Sequence, residues 1–234
     1  MSRKFLLIAT LVLVVGAATA MPARAQSTVS FNLGAFYPRS LDARGTGDVL
    51  FENLNYLSFD FNAFRGFTFG GDFLYPLGDF FEVGAGIGYY SESVPSIYTD
   101  YVDLDTGLDI AQSLKLRIIP ITFTVRALPL SKNLPVQPYV GGGLAILPWR
   151  YSETGEFIDF NTGDIFTNNY VASGTKVGGT ILGGVRVLPS RRFAVGFEVR
   201  WQNGKATLPA ELGFSGNTID LGGFNYLATF GYRF

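Results

Sequence analysis

The chain ends on the stretch Phe224-Asn-Tyr-Leu-Ala-Thr-Phe-Gly-Tyr-Arg-Phe234, in which large apolar residues alternate with small or polar ones. Successive side chains of a β-strand point to opposite faces, so this segment has one aromatic face and one small or polar face. The ends of most chains are frayed and polar, whereas a strand that stops on an aromatic residue has to be paired and covered. The last strand of a closed transmembrane β-barrel meets that requirement.

The same alternation recurs along the chain from residue 26 onward, in eight runs. Short turns are predicted at 76–79, 129–135 and 189–192, and long segments, predicted as loops, at 38–64, 91–109, 151–173 and 203–222. An even number of strands of about 9–11 residues, with short turns at one end and long loops at the other, is typical of outer-membrane barrels. The sequence therefore predicts an all-β fold, a closed eight-stranded antiparallel up-and-down transmembrane β-barrel.

The composition agrees with a wall that faces lipid. Only 16% of the residues are charged, while 15% are aromatic and 29 are glycine. An average protein has about 25% charged residues and about 7% glycine. Glycine and aromatic residues have thus replaced charged ones.

Residues 1–25 are predicted to be a cleavable signal peptide, which leaves 26–234 as the barrel domain. Arg3 and Lys4 make a basic start, an apolar run follows from Phe5 to Val15, and Ala23-Arg-Ala25 has the spacing of a cleavage site. The apolar run is shorter than the roughly 20 residues that a spanning helix needs. The mature chain is therefore expected to be exported to the bacterial outer membrane.

The composition also excludes several classes of function. Cleavage removes three basic residues and no acidic one, leaving 15 basic and 19 acidic residues and a net charge of −4, which gives no electrostatic footprint for nucleic acid. The chain has no histidine and no cysteine, so the usual general base, the histidine-activated serine and thiolate chemistry are absent. We expect a protein that is not an enzyme and that has no cofactor and no metal.

Four acidic residues crowd the second predicted loop, namely Asp100, Asp103, Asp105 and Asp109. Carboxylates are calcium ligands, but no glutamate follows at the distance that the twelve-residue calcium-binding loop requires. A solvated outer loop is the favoured interpretation.

Seven charged residues within the strands fall on the small, polar face. A charge facing lipid at mid-depth costs about 2–4 kcal/mol for arginine or lysine, so this face is predicted to line the lumen, with inward glycines making room for the larger side chains. Five of the seven should form one layer near the short turns, with Glu198 above it. We interpret them as a salt-bridged plug; a polar gate is the alternative. The seven are Asp72, Glu82, Arg126, Arg186, Glu198, Arg200 and Arg233, all but Glu198 and Arg200 belonging to the predicted layer.

Two prolines interrupt neighbouring strands, Pro120 within the fourth and Pro148 near the outer end of the fifth. Proline removes a ladder hydrogen bond, and a closed barrel has no edge strand at which the loss would be harmless. One hypothesis is a lateral opening through which a hydrophobic solute leaves the lumen; the alternative is a pair of bulges that curve the wall.

Aromatic residues near the strand ends are predicted to form two belts at the membrane surfaces. The belt residues are Tyr37, Tyr75, Tyr89, Trp149, Trp201 and Tyr232.

Several segments together resemble the eight-stranded outer-membrane β-barrel proteins of Gram-negative bacteria, the OmpW-like and OmpX/OmpA-like group. The resemblance covers about 205 residues and is carried by residues 116–126, 138–143, 183–187 and 193–201 and by the terminal Phe234. It implies an integral outer-membrane protein without catalytic residues. Some members are proposed to pass small hydrophobic molecules, and others serve as structural or adhesive surface proteins.

The terminal strand also resembles the C-terminal signal that the outer-membrane assembly machinery reads. The resemblance assigns that role to Tyr226, Phe230, Tyr232 and Phe234. The implied partners are thus the assembly machinery, outer-membrane lipid and, for a porin-like protein, a small hydrophobic solute.

Two hypotheses for function follow. The first is a small pore or binder for small hydrophobic molecules, with lateral exit near Pro120 and Pro148. The second is a structural or adhesive surface protein with a closed, salt-bridged lumen and partner-binding loops. Conductance across a planar bilayer distinguishes them.

Overall fold

In a computed structural model, residues 26–104, 106–131 and 134–234 of the chain are described. The signal peptide predicted for residues 1–25 lies outside the described residues. The strands are β1 (Thr28–Pro38), β2 (Leu57–Ser58), β3 (Gly66–Leu77), β4 (Phe81–Val102), β5 (Asp109–Ile118), β6 (Ile121–Ala127), β7 (Val136–Ile158), β8 (Ile165–Val187), β9 (Phe193–Gln202), β10 (Lys205–Thr207), β11 (Thr218–Asp220) and β12 (Gly223–Arg233).

Eight antiparallel barrel strands form a closed ring. The first and last strands of the ring, β1 and β12, pair along their whole length from Thr28↔Arg233 to Pro38↔Gly223. From β1 the ring continues through β3, β4, the combined β5 and β6, β7, β8 and β9 back to β12. Because β5 and β6 pair with the same two neighbours, they count as one barrel strand. The predicted closed eight-stranded antiparallel up-and-down barrel is confirmed.

The aromatic face of the barrel strands points outward in the half that carries the short turns. Phe67, Ile87 and Phe230 are among the large apolar side chains that remain exposed there. Their sequence neighbours point inward, and several are buried and polar, such as Thr68 and Asp72. In this half the structure therefore places the polar face of the strands inside the barrel and the aromatic face outside, as the cost of a lipid-facing charge predicts.

Two of the predicted loops are strands, and in this respect the prediction was wrong. The segments 91–109 and 151–173 belong largely to the long hairpins β4–β5 and β7–β8, since β7 and β8 each have 23 residues. Outward hydroxyl and charged residues give these segments the composition of loops. Their inward residues include the apolar and buried Val94, Tyr151 and Ala172, so these segments alternate as strands with the opposite polarity.

The segments 38–64 and 203–222 pack against the long hairpins. The first contains α1 (Val49–Asn53), whose N-cap Asp48 accepts a hydrogen bond from the backbone N–H of Leu50. The second contains the β10–β11 hairpin. Among the described residues, no helix is long and apolar enough to cross a membrane.

The hydrophobic core lies in the half of the barrel that carries the long hairpins. α1 contributes Val49 and Leu50, which are both 0% exposed. They pack in one cluster with residues of β4, β5 and β7 and of the segment 206–221. The other members include Phe36, Phe64, Tyr90, Val94, Leu114, Leu116, Ile118, Leu147, Trp149, Tyr151, Leu208, Ile219 and Leu221.

Candidate functional site

The polarity of the wall inverts along a single barrel strand. In β6, Phe123 and Val125 are exposed on the outside while Thr122 and Thr124 are buried inside. In β5 the inward residues are the buried Leu114, Leu116 and Ile118, and the outward ones include Lys115 and Arg117. The outside therefore changes from apolar to polar, and the inside from polar to apolar, between Ile118 and Ile121.

The polar half of the lumen contains a network centred on two carboxylates and two guanidinium groups. Asp72 accepts hydrogen bonds from Arg200 Nη2 at 2.9 Å and from Asn32 Nδ2 at 2.5 Å. Glu198 pairs with Arg200 at 2.6 Å and with Arg126 at 3.2 Å. Arg126 also lies 3.6 Å from Asp72, so each carboxylate is shared by the same two arginines. We call these four residues the central cluster.

A second cluster lies nearer the short turns. Arg186 donates from Nη1 to Glu82 at 3.0 Å, and its Nη2 also pairs with the other carboxylate oxygen. The Nε of Arg186 donates to Gln137 at 2.7 Å. The bidentate geometry fixes both side chains and satisfies most of their hydrogen-bonding groups. We call Glu82, Arg186 and Gln137 the lower cluster.

Tyr139 joins the two clusters. Its ring lies between two guanidinium groups, with Arg126 at 5.1 Å and Arg186 at 5.9 Å from the centroid. Its hydroxyl donates to Glu198 at 3.0 Å. The stacked cations and the hydroxyl bond make this neutral residue part of the charge network.

The charged residues thus form two contact clusters, whereas the distance from the short turns predicts one layer. Strands of a barrel are tilted and staggered, so residues at equal distances from a turn do not all meet. Glu82 pairs across the sheet with Arg126, yet the guanidinium group of Arg126 contacts Asp72 and Glu198, and that of Arg186 contacts Glu82. Arg233 is partly exposed at the rim and forms no ion pair within 4.0 Å with another described residue.

Inward glycines make room for this network. A Cβ on Gly86 would lie 2.0 Å from Oδ1 of Asp72, and one on Gly184 would lie 2.6 Å from the hydroxyl of Tyr139. The large inward side chains of one strand therefore occupy the space that glycines leave on the next.

The lumen has little free volume. One cavity of about 20 Å³ lies between Asn32, Pro120 and Arg200, and another of about 10 Å³ between Asp72, Arg126 and Tyr139. Each volume is close to that needed for a single water molecule. Neither cavity accommodates an organic solute.

The wall is continuous at the two prolines. Tyr90 pairs with Ile118 and Ile87 with Ile121, so the register is the same on both sides of Pro120. A β-bulge would shift the register by one residue, so the predicted bulge is not present at Pro120. Gly88 N donates to the carbonyl of Pro120 at 2.8 Å, and Ile119 N to that of Pro148 at 2.9 Å. Each proline lacks an N–H, so one ladder bond is missing at each.

The hairpin half has buried polar groups that sequence reasoning missed. Glu153 is buried beneath α1, where its Oε1 accepts hydrogen bonds from Asn53 Nδ2 at 2.6 Å and from the Tyr151 hydroxyl at 2.8 Å. Burial raises the pKa of Glu153, although these two bonds oppose the shift. Nearby, Arg44 Nη1 contacts both oxygens of Asp48 at 3.1 Å, and both side chains are buried.

Replacing Glu153 by glutamine is expected to stabilise the hairpin half at neutral pH. An acid whose pKa is raised in the folded state keeps its proton to higher pH than in the unfolded state, so stability is lost as the pH rises from the usual carboxyl range through the raised pKa. Glu153→Gln keeps the accepting oxygen but carries no charge. We expect its thermal midpoint at pH 7 to exceed that of the native chain by about 2–4 °C.

The thermal midpoints of the native chain and of Glu153→Gln should converge near pH 4, where Glu153 of the folded native chain is protonated. Both are measured by near-ultraviolet circular dichroism, which reports the buried Trp149 and Tyr151. The control is Glu156→Gln, an exposed glutamate on the same strand. An equal midpoint difference at both pH values would contradict the assignment.

The tips of the two long hairpins form an exposed surface that is apolar and acidic. A cleft of about 980 Å³ between them is lined by Tyr101, Phe160 and Phe166 and by four carboxylates. Leu104 is 93% exposed beside it. In the sequence, residues 97–114 and 151–175 contain eight acidic residues and no lysine or arginine.

Five of the six residues predicted for the aromatic belts have outward, exposed or partly exposed side chains. Tyr37, Tyr89 and Tyr232 are exposed on the outside, and Tyr75 and Trp201 are partly exposed. The prediction for Trp149 is wrong, because its side chain points inward into the core and is only 6% exposed. The side chains of the proposed assembly signal, from Tyr226 to Phe234, also point outward, and their role in assembly stays a prediction.

Alternation along the strands was enough to place the charged residues on the inner face. It could not identify the neutral partners Asn32, Gln137 and Tyr139, whose roles depend on which strands become neighbours. No signal within any single strand distinguishes these residues from other inward polar side chains.

Several solved structures are similar to this chain. They include the N-terminal β-barrel domain of Pseudomonas aeruginosa OprF, with 13% identity, covering 90% of this chain and 100% of that one at a TM-score of 0.44. Neisserial surface protein A is 14% identical, and the match covers 90% of this chain and 99% of that one at a TM-score of 0.44. Escherichia coli outer membrane protein W is 16% identical, and the match covers 91% of this chain and 100% of that one, also at a TM-score of 0.44.

No protein-family model and no curated protein matches the sequence. The fold is established by the chain's own closed ring of strands. The chain is a closed eight-stranded antiparallel β-barrel, the fold that its sequence predicts.

Proposed function

We propose that the protein is an integral outer-membrane barrel with a closed lumen, acting as a structural or adhesive surface protein. The exposed apolar band of the short-turn half supports the membrane placement, because large contiguous apolar surface on the outside of a barrel is stable in lipid and not in water. The inversion of polarity between Ile118 and Ile121 marks the outer boundary of the lipid. The hairpin half then stands in the extracellular water.

The observation that carries the proposal is that side chains fill the lumen in both halves of the barrel. The central and lower clusters occupy the lipid-spanning half, and the hydrophobic core with Leu50 and Trp149 occupies the extracellular half. A pore for hydrophobic molecules would need both fillings to move aside. The missing ladder bonds at Pro120 and Pro148 favour the lateral-exit hypothesis, but the adjoining cavity of about 20 Å³ gives a solute no space.

The hairpin tips are the proposed contact surface for a partner. Exposed apolar residues in water, such as Leu104 and Phe160, mark interaction sites. The surrounding carboxylates, including Asp100 and Glu156, favour a partner with a basic surface.

A planar-bilayer measurement tests the proposal. We expect the folded full chain to insert without conductance steps, because ions would have to cross paired arginines and carboxylates and then an apolar core. Binding of a lysine-rich peptide should be measurable and should be lost when residues 100–108 and 158–165 are replaced by short turns. Discrete steps in most insertions would favour the pore hypothesis. Peptide binding that survives the shortening would contradict the hairpin tips as the contact surface.

A further inference from the structure

Three cations lie together on the outer surface of the wall, just above the lipid-facing band. They are Lys115 and Arg117 of β5 and Arg150 of β7. Their sequence neighbours Leu116, Ile118, Trp149 and Tyr151 point into the core and are buried, so the three cations point outward. We call them the basic patch.

The strand register brings the basic patch into two adjacent rows. One row crosses four strands as Ser91, Arg117, Arg150 and Ser173, and the next as Ser93, Lys115, Ser152 and Val171. Arg117 and Arg150 are direct cross-strand partners. Side chains in such positions have Cβ atoms about 4.5–5.5 Å apart, and like charges there repel each other.

The structure provides no internal compensation for this repulsion. Within the two rows there is no carboxylate, and none of the three cations lies within 4.0 Å of a carboxylate oxygen of the described residues. Glu92 and Glu153, which adjoin the serines of the two rows in sequence, belong to the inward face of their strands. Hydroxyl groups of Ser91, Ser93, Ser152 and Ser173 surround the cations instead.

The surface beneath the basic patch is apolar. Next along the outward face come Ile119 and Pro148, and then a row of Ile87, Ile121, Ile146 and Val177. Cations and hydroxyls therefore lie directly above an aliphatic band. A lipid has the same order, with its phosphate above its acyl chains.

We propose that the basic patch binds the phosphate group of an anionic lipid in the outer leaflet, with the acyl chains lying along the aliphatic band. Charge-assisted bonds from two guanidinium groups and serine hydroxyls match a phosphate, and the ligand neutralises the opposed Arg117 and Arg150. The inference rests on the proposed membrane placement. It adds a lipid site on the wall to a protein whose partner surface is at the hairpin tips.

The test uses the full chain in nanodiscs that contain equal amounts of phosphatidic acid and phosphatidylcholine. Lipid retained after mild detergent extraction is counted by native mass spectrometry. We expect the native chain to retain phosphatidic acid about tenfold over phosphatidylcholine, equivalent to roughly 1.4 kcal/mol. The triple variant Lys115→Gln, Arg117→Gln, Arg150→Gln should retain the two lipids equally.

The matched control removes three cations elsewhere, by Arg191→Gln, Arg192→Gln and Lys205→Gln, and should keep the preference. If the triple variant does not fold, Arg150→Ser, which places on β7 the residue found at the same row of β4 and β8, should lower the preference several-fold. Equal preference in the native and variant chains would overturn the inference. Complete displacement by millimolar inorganic phosphate would also overturn it, since the site would then recognise free phosphate.

Heat-modifiable migration and protease protection in the same nanodiscs report membrane insertion separately. A native chain that does not insert contradicts the proposed function. A native chain that inserts without a lipid preference contradicts only the basic-patch inference.

Discussion

Glu198→Gln is expected to lower the free energy of unfolding by about 3–5 kcal/mol, because it leaves buried guanidinium groups without their counter-charge. Glu198 is 0% exposed and receives hydrogen bonds or ion pairs from Arg200, Arg126 and Tyr139. In the native chain Asp72 and Glu198 balance Arg126 and Arg200. The variant leaves Asp72 alone to balance both arginines in a site with almost no free volume.

The measurement is urea unfolding in lipid vesicles, followed by tryptophan fluorescence and by heat-modifiable migration. Glu211→Gln is the matched control, since this glutamate is exposed and its neutralisation should change stability by less than about 0.5 kcal/mol. Equal unfolding midpoints for the two variants would show that the central cluster does not hold the lumen together.

The lumen illustrates what alternation along a strand can predict and what it cannot. Arg126, Glu198 and Arg200 could be placed on the inner face because each is flanked by apolar residues that suit lipid. Which carboxylate meets which arginine depends on the stagger of strands that are distant in sequence, such as β3 and β9. The sequence therefore predicts a charged lumen and a single layer, but not the division of its residues into two contact clusters.

The hairpin half was harder to predict, for a different reason. Alternation predicts a strand where apolar residues suit a lipid-facing surface, yet in the hairpin half the apolar face of a strand turns inward. Leu114 and Trp149 obey the same alternation as Phe123 and Leu144, with inside and outside exchanged. The aromatic character of Trp149 suits both a belt and a core, and only the buried cluster around α1 decides between them.

The packing of α1 leads to the second large effect. Leu50 is 0% exposed and packs in the core of the hairpin half, whereas Leu54, one turn further along the same segment, is 37% exposed. Leu50→Ala removes buried methyl groups and leaves a cavity, at a typical cost of about 2–5 kcal/mol. Leu54→Ala makes the same chemical change on the surface and should cost less than about 0.5 kcal/mol.

The cost of Leu50→Ala should fall on the hairpin half rather than on the short-turn half, because the short-turn half is held by strand pairing and by the lumenal clusters. Near-ultraviolet circular dichroism and limited proteolysis of the segment 38–64 report unfolding of the hairpin half, and heat-modifiable migration reports unfolding of the barrel. We expect Leu50→Ala to lose near-ultraviolet signal and protease resistance at a lower urea concentration, with migration unchanged. If Leu54→Ala loses them equally, α1 covers the hairpins as a surface segment, and closure of the lumen in the hairpin half has to be attributed to the side chains of β5 and β7 alone.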